Sequence, residues 1–117
     1  MITHQKALVT PTAPPPNHLR KAGRVHWQAV LEMTELEPHD LPLLEMSCVW
    51  RDVYQAGLRT VKRDGMFVDG RFGTKQKHPA LAVMKDASDQ FRMLMRELCL
   101  NDIVADDSRP NRLRGYR

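Results

Sequence analysis

Apolar and polar residues recur with helical period over three separate stretches of the chain. In the first, Gly23, Trp27, Val30, Leu31 and Thr34 fall on one face with Leu19 at its edge, while Lys21, Arg24, Gln28, Glu32 and Glu35 fall on the other. This predicts a helix from Asn17 or His18 to about Glu35. Asn17 is a good N-cap, and the prolines before it cannot continue a helix backward. Glu37-Pro38 ends it, because proline disfavours helical backbone at the preceding residue. The second stretch runs from Asp40, a plausible N-cap, through Pro42 in the first turn to about Arg63. Its stripe is Leu43, Met46, Ser47, Trp50, Val53, Tyr54, Gly57, Leu58 and Val61. Gly57 on that face costs about 1 kcal/mol relative to alanine, which predicts close approach of another helix, under Trp27 or Trp50. The third starts at Pro79 and ends near Leu98 or Cys99, with Leu81, Met84, Ser88, Phe91, Met95 and Leu98 in line and Val83, Ala87 and Leu94 widening the face.

Between the second and third helices lies a basic, glycine-punctuated insert, Lys62 to Leu81. Asp64-Gly65 reads as a helix stop, with Gly65 in left-handed backbone. Asp69-Gly70, flanked by Met66-Phe67-Val68 and Arg71-Phe72, is a hairpin signal. The expected fold is therefore mainly α: three principal amphipathic helices with a short hairpin-like insert before the third.

The ends differ from this middle. Residues 1–17 form a flexible Pro-rich segment, 18–100 the helical domain and 101–117 a basic tail. Without its ends the chain has about 80 residues for a core, a size at which a lone core is marginal. Self-association is the expectation, and the methionine-rich apolar stripes suit it. Cys48 and Cys99 lack the spacing of a metal knuckle or a redox pair and read as reduced thiols. No signal peptide and no apolar run near the ~20 residues of a membrane span are found, so a soluble intracellular protein is expected.

The net charge of +4 is laid out in alternating blocks. Residues 1–26 carry +4, 27–58 carry −5, 59–78 carry +4, 79–108 carry −3, and 109–117 carry +4. Basic blocks at a helix start, in an insert and in a tail are where phosphate contacts are usually placed. For any single basic residue, solvated surface is the commoner role.

No catalytic constellation emerges. His4, His18, His26, His39 and His78 are scattered, and His39-Asp40 reads as loop and cap. Asp64 and Asp69 sit beside Gly65 and Gly70, where turn roles outweigh metal ligation. Lys85, Arg92 and Arg96 surround Asp86 and Asp89, which makes an ordinary salt-linked face, with Lys85 and Asp89 spaced i,i+4. The Gly65, Gly70 and Gly73 spacing lacks the Lys-Ser/Thr of a phosphate-binding loop, which argues against nucleotide hydrolysis. No metal or cofactor is expected.

Taken together, the residues from about Ala13 to Leu100 resemble the phage terminase small subunit family of tailed phages and prophages. The family begins with a Pro-rich lead into an hLxxxAxxxWxxh pattern, here Ala13-Pro14, Leu19-Arg20-Lys21-Ala22-Gly23 and Trp27. An acidic residue before a Leu-rich helix follows, here Asp40-Leu41-Pro42-Leu43-Leu44-Glu45, with the mid-helix aromatic pair matched by Trp50 and Tyr54. Gly73 and His78-Pro79-Ala80-Leu81 stand at the insert and the third helix start, and Leu98-Cys99-Leu100 at its end. His78 replaces the usual Asn, Cys99 the usual Gly, and Asn101-Asp102 the common Thr-Pro.

The resemblance implies a non-catalytic DNA-packaging component in the cytoplasm of the bacterial host. Its partners would be double-stranded viral DNA, the terminase large subunit that supplies the ATPase and nuclease, and further copies of itself in a ring. Under that reading the DNA contacts are Arg20, Lys21 and Arg24 at the first helix, Arg59, Lys62 and Arg63 at the end of the second, and Arg71, Lys75 and Lys77 in the insert. Arg109, Arg112, Arg114 and Arg117 would contact DNA or the large subunit. Trp27, Trp50, Tyr54, Leu81, Met84, Phe91, Met95 and Leu98 would build core and ring interface. The alternative is a sequence-tolerant DNA-binding regulatory or adaptor protein unrelated to packaging. A small nuclease would require a metal cluster that the sequence does not supply.

Overall fold

The computed structural model describes residues 8–98. The Arg109–Arg117 tail and Cys99 lie outside them. The fold is mainly helical: α1 (Lys21–Met33), α2 (Leu41–Asp64), β1 (Phe67–Asp69), β2 (Lys75–Lys77) and α3 (Pro79–Glu97), with short 3-10 turns at Pro38–Asp40 and Arg71–Gly73.

The core gathers where α1, the first half of α2 and the end of α3 meet. Leu31, Leu36, Leu44, Cys48 and Leu98 are fully enclosed there, with Leu19, Trp27, Val30 and Met95 around them. All five residues expected on the inner face of α1, and Leu19 beside them, are buried. The α2 stripe is displaced in its first half: Leu44 and Cys48 are enclosed, whereas Met46 is exposed. The reason is that α2 packs against α1 on one side and α3 on another, so it buries two faces where one was predicted. The lead ahead of α1, expected to be flexible over 1–17, is anchored to the core at Val9 and Ala13, while most of its other described residues are exposed. Val9 is buried and its N–H donates to the Leu36 carbonyl at 2.8 Å, and the Trp27 indole N–H donates to the Ala13 carbonyl at 3.0 Å.

Several local expectations need revision. α1 begins at Lys21, four residues after Asn17, because the groups that satisfy its first amides come from α2. Asp40 precedes α2, yet its carboxylate turns back to accept the Glu37 N–H at 3.1 Å and closes a capping box around the 3-10 turn. Gly57 faces Met84 and Ala80 of α3 rather than Trp27 or Trp50; a β-carbon there would stand 2.6 Å from Met84 Cγ. Gly65 has positive φ (87°) with extended ψ (163°), a glycine region but not the left-handed helical one. The hairpin exists with a later second strand: Phe67, Val68 and Asp69 pair with Lys77, Gln76 and Lys75, and Arg71-Phe72 lie in the turn. α3 starts as expected, its N-cap His78 accepting the Ala80 N–H on Nδ1 at 3.0 Å.

Candidate nucleic-acid interface

The start of α1 is assembled from two distant parts of the chain. Its first amides have no local acceptor, since Arg20 at the N-cap position offers no side-chain cap. Asp52, in the middle of α2, supplies one. Its Oδ2 accepts the Arg20 N–H and its Oδ1 the Gly23 N–H, both at 2.7 Å. Gly23 permits this, because a β-carbon there would lie 2.6 Å from Asp52 Oδ2 and 2.9 Å from the Cys48 carbonyl. The N-terminus of α1 is thus pinned across α2 at Cys48 and Asp52.

Beyond that crossing, the face of α2 that α1 covers continues uncovered. Successive positions on it, spaced by one turn, are Arg51, Gln55 and Arg59. With Arg20, Lys21, Ala22, Val25 and Asp52 they line an open cleft of about 680 Å³. Four cations and one carboxylate face it, and that carboxylate is engaged with backbone amides. Arg51 is held by an aromatic neighbour: its guanidinium lies 5.4 Å from the Phe91 ring centroid, within cation–π range. Its Nε is buried without a hydrogen-bond partner among the described residues. His26 meets the same ring edge-on at 5.0 Å. Burial, with the Arg51 charge adding to it, pushes the His26 pKa down to about 4. The imidazole is therefore neutral at neutral pH, and Arg51 carries the charge of this cluster.

The residues singled out from the sequence separate into groups. Arg20, Lys21 and Arg59 meet in the cleft. Arg24 is turned back on its own chain, donating from Nε to the Leu19 carbonyl (2.9 Å) and from Nη2 to the Asn17 carbonyl (3.0 Å). Lys62 and Arg63 lie one turn beyond Arg59, and Arg63 forks onto Asp64 at 2.8 and 3.1 Å. That fork, together with His78 at 2.9 Å, holds the Asp64 carboxyl well below the usual carboxylate range. Lys75 pairs with Asp69 at 2.9 Å, whereas Arg71 and Lys77 are exposed on the hairpin without a carboxylate partner among the described residues. Trp27, Met95 and Leu98 belong to the core, while Trp50, Tyr54, Leu81, Met84 and Phe91 are half-buried along α2 and α3. Trp50, Tyr54 and Phe91 line a second cleft of about 210 Å³. Arg51 and Asp52 were missed by the sequence reading. The one-turn spacing of Arg51, Gln55 and Arg59 was available as a signal for the first; nothing local marks the second as a cap.

The acidic groups do not gather into a metal centre around the insert: Asp64 and Asp69 each face a cation of their own. Glu37, His39 and Asp40 bring ligand atoms within 4.8 Å of one another, but Glu37 and Asp40 already serve the capping box. Lys85 and Arg92 both pair with Asp89 at 2.9 Å, the salt-linked face expected on α3.

A profile of the family described as "Phage terminase, small subunit" matches residues 24–103, more than half of the chain. The chain belongs to the phage terminase small subunit family. The match starts within α1 and covers α2, the hairpin and α3, so every element that frames the basic cleft lies in or against the family region. Membership places this terminase small subunit in phage packaging, in a family that is generally non-catalytic. No match was found among curated proteins or among solved structures. Among the described residues, no helix is long and apolar enough to cross a membrane.

Proposed function

We propose that this terminase small subunit binds double-stranded viral DNA through the α1–α2 cleft and presents it to the large subunit, which supplies the ATPase and nuclease. One observation carries the reading. The α2 face exposed beyond the α1 N-terminus displays Arg51 and Arg59 beside Arg20 and Lys21. Asp52 fixes that arrangement while directing its own charge at backbone amides. Such a surface meets phosphates in number, and phosphate contacts position a duplex without reading its sequence. Binding is then governed by counterion release and weakens steeply with salt.

Self-association fits the same molecule. The half-buried Trp50, Tyr54, Leu81 and Met84 are not part of the main core cluster and suit contact with further copies, in the manner of a ring, whereas Phe91 packs against that core. A cyclic assembly repeats the cleft, so modest contacts sum over subunits. The site of action is the cytoplasm of the infected host, and no catalytic step is assigned to this chain.

The test is a salt titration of duplex binding by the full chain, wild type against Lys21→Glu and Arg59→Glu. Each cation that meets a phosphate contributes about one unit to the slope of log K on log salt. Each variant is expected to flatten the slope by that amount and to lose affinity at low salt. Unchanged slopes in both variants would remove the cleft from the interface.

A further inference from the structure

The tip of the β1–β2 hairpin carries a feature that phosphate binding leaves unused. Phe72 is 99% exposed, far more than any other large apolar side chain among the described residues. It also has φ 59° and ψ 25°, left-handed backbone that is unusual for a bulky residue. The turn that holds it is well made. Thr74 donates to the Arg71 carbonyl from both its N–H (3.3 Å) and its hydroxyl (2.8 Å), and the Gly70 N–H donates to the Thr74 carbonyl at 2.6 Å. The ring is thus held away from its own chain by hydrogen bonds that do not involve it. Strain and full exposure of an aromatic ring, kept together by a defined turn, point to a partner.

The charges around the ring select that partner. Lys62 to His78 hold five bases and two acids, and both acids are already paired, Asp64 with Arg63 and His78, Asp69 with Lys75. Lys62, Arg71 and Lys77 have no carboxylate partner among the described residues. A partner must therefore offer an apolar slot between lines of negative charge. A base step of duplex DNA, with stacked faces between two phosphate backbones, has that form. The reach also fits. Arg51, Gln55, Arg59 and Lys62 follow one side of α2 from the cleft toward the hairpin, and at 1.5 Å per residue Arg51 and Lys62 are about 17 Å apart along the axis. That is about half a helical turn of duplex.

Resting on the DNA-binding reading above, we infer that the hairpin is a wedge. Phe72 enters a base step and unstacks it while Arg71 and Lys77 hold flanking phosphates. The wedge kinks the duplex and favours pyrimidine–purine steps, which open most easily.

The experiment uses the full chain and duplexes of about 30 base pairs. They carry 2-aminopurine next to a central TA step or inside an A-tract, with a donor–acceptor pair on their ends. Wild type should raise 2-aminopurine fluorescence and shorten the end-to-end distance on the TA duplex more than on the A-tract. Phe72→Ala should abolish both signals and weaken binding about tenfold, within the range of aromatic stacking on a base. Phe72→Trp should retain them. Because Phe72 packs against nothing, neither variant threatens folding. Tight, salt-dependent binding by wild type without either signal, or with Phe72→Ala equal to wild type, overturns the wedge and leaves the cleft reading intact. Loss of self-assembly in Phe72→Ala with unchanged DNA signals also overturns it and assigns the tip to a protein contact. Absence of any duplex binding by wild type defeats the cleft reading and the wedge together.

Discussion

Asp52 is the residue on which stability and binding should move in opposite directions. In Asp52→Ala the Arg20 and Gly23 amides each lose an acceptor at 2.7 Å, in a part-buried setting for Gly23. Losing an ordinary N-cap costs about 0.5–2 kcal/mol. Hydrogen bonds to a charged group contribute about 1.5–3 kcal/mol each, and the carboxylate's interaction with the helix N-terminus adds about 0.3–1 kcal/mol. Water reaches the Arg20 amide and replaces part of the loss, so a net cost of about 2–3 kcal/mol is expected. Asp52→Asn keeps one acceptor oxygen and should cost about half as much. In a domain of this size, 1 kcal/mol shifts Tm by about 4–8 °C. The assay is urea unfolding at one fixed protein concentration, since self-association stabilises by mass action. DNA binding should respond the other way. Removing the cleft's carboxylate leaves Arg20, Lys21, Arg51 and Arg59 facing the phosphates and frees two helix N-terminal amides. Both variants should bind duplex DNA more tightly than wild type at low salt, at temperatures where they remain folded. A stability loss below about 0.5 kcal/mol for the alanine variant would refute the capping argument, because that is the lower limit for one ordinary cap.

Three further outcomes follow from the same geometry. Gly23→Ala should destabilise by about 1–2 kcal/mol in urea unfolding despite a helix-propensity gain near 1 kcal/mol, because its methyl meets the Cys48 carbonyl at 2.9 Å and displaces Asp52. His26, with its folded pKa down at about 4 against 6.5 unfolded, takes up a proton on unfolding between those values. Stability should hold above pH 6.5 and fall by about 1–2 kcal/mol from there to pH 4 after allowance for solvent access, and His26→Gln should flatten that segment of a pH series of unfolding curves. Cys48 is enclosed, and burial pushes its thiol up to about 12. In a Cys99→Ser background, thiol labelling at neutral pH should therefore track global unfolding; fast labelling of the native protein would show that the α1–α2 contact opens locally.

The helices were legible in the sequence because their signals are local and periodic. The inner face of α1 was read residue by residue, as was the His78-Pro79 start of α3, where cap and first-turn proline stand side by side. Local rules misled where a distant group intervened. Asn17 has the chemistry of an N-cap, but the Arg20 and Gly23 amides at the start of α1 are met by a carboxylate 32 and 29 residues away, and pattern reading has no access to that partner. The α2 stripe was read as one face, and the helix packs on two. The hairpin signal at Asp69-Gly70 was sound, yet the strand pairing moved to Lys75–Lys77, because the turn closes through Gly70 and Thr74 and leaves Arg71 and Phe72 outside the ladder.

For the basic residues, sequence showed the blocks and structure sorts their members. Arg24 donates to backbone carbonyls of its own chain, whereas Arg63 and Lys75 form surface ion pairs, which contribute little to stability. What those pairs do accomplish is geometric. Arg63 and His78 converge on Asp64 at the junction of α2, the hairpin and α3, and so fix the direction in which the hairpin leaves the helices. If the hairpin acts as a wedge, Asp64→Asn should lower DNA bending more than it lowers DNA affinity, since it loosens the mount while removing no cation. A variant that instead bound DNA more tightly with bending unchanged would show that Asp64 acts only through its charge.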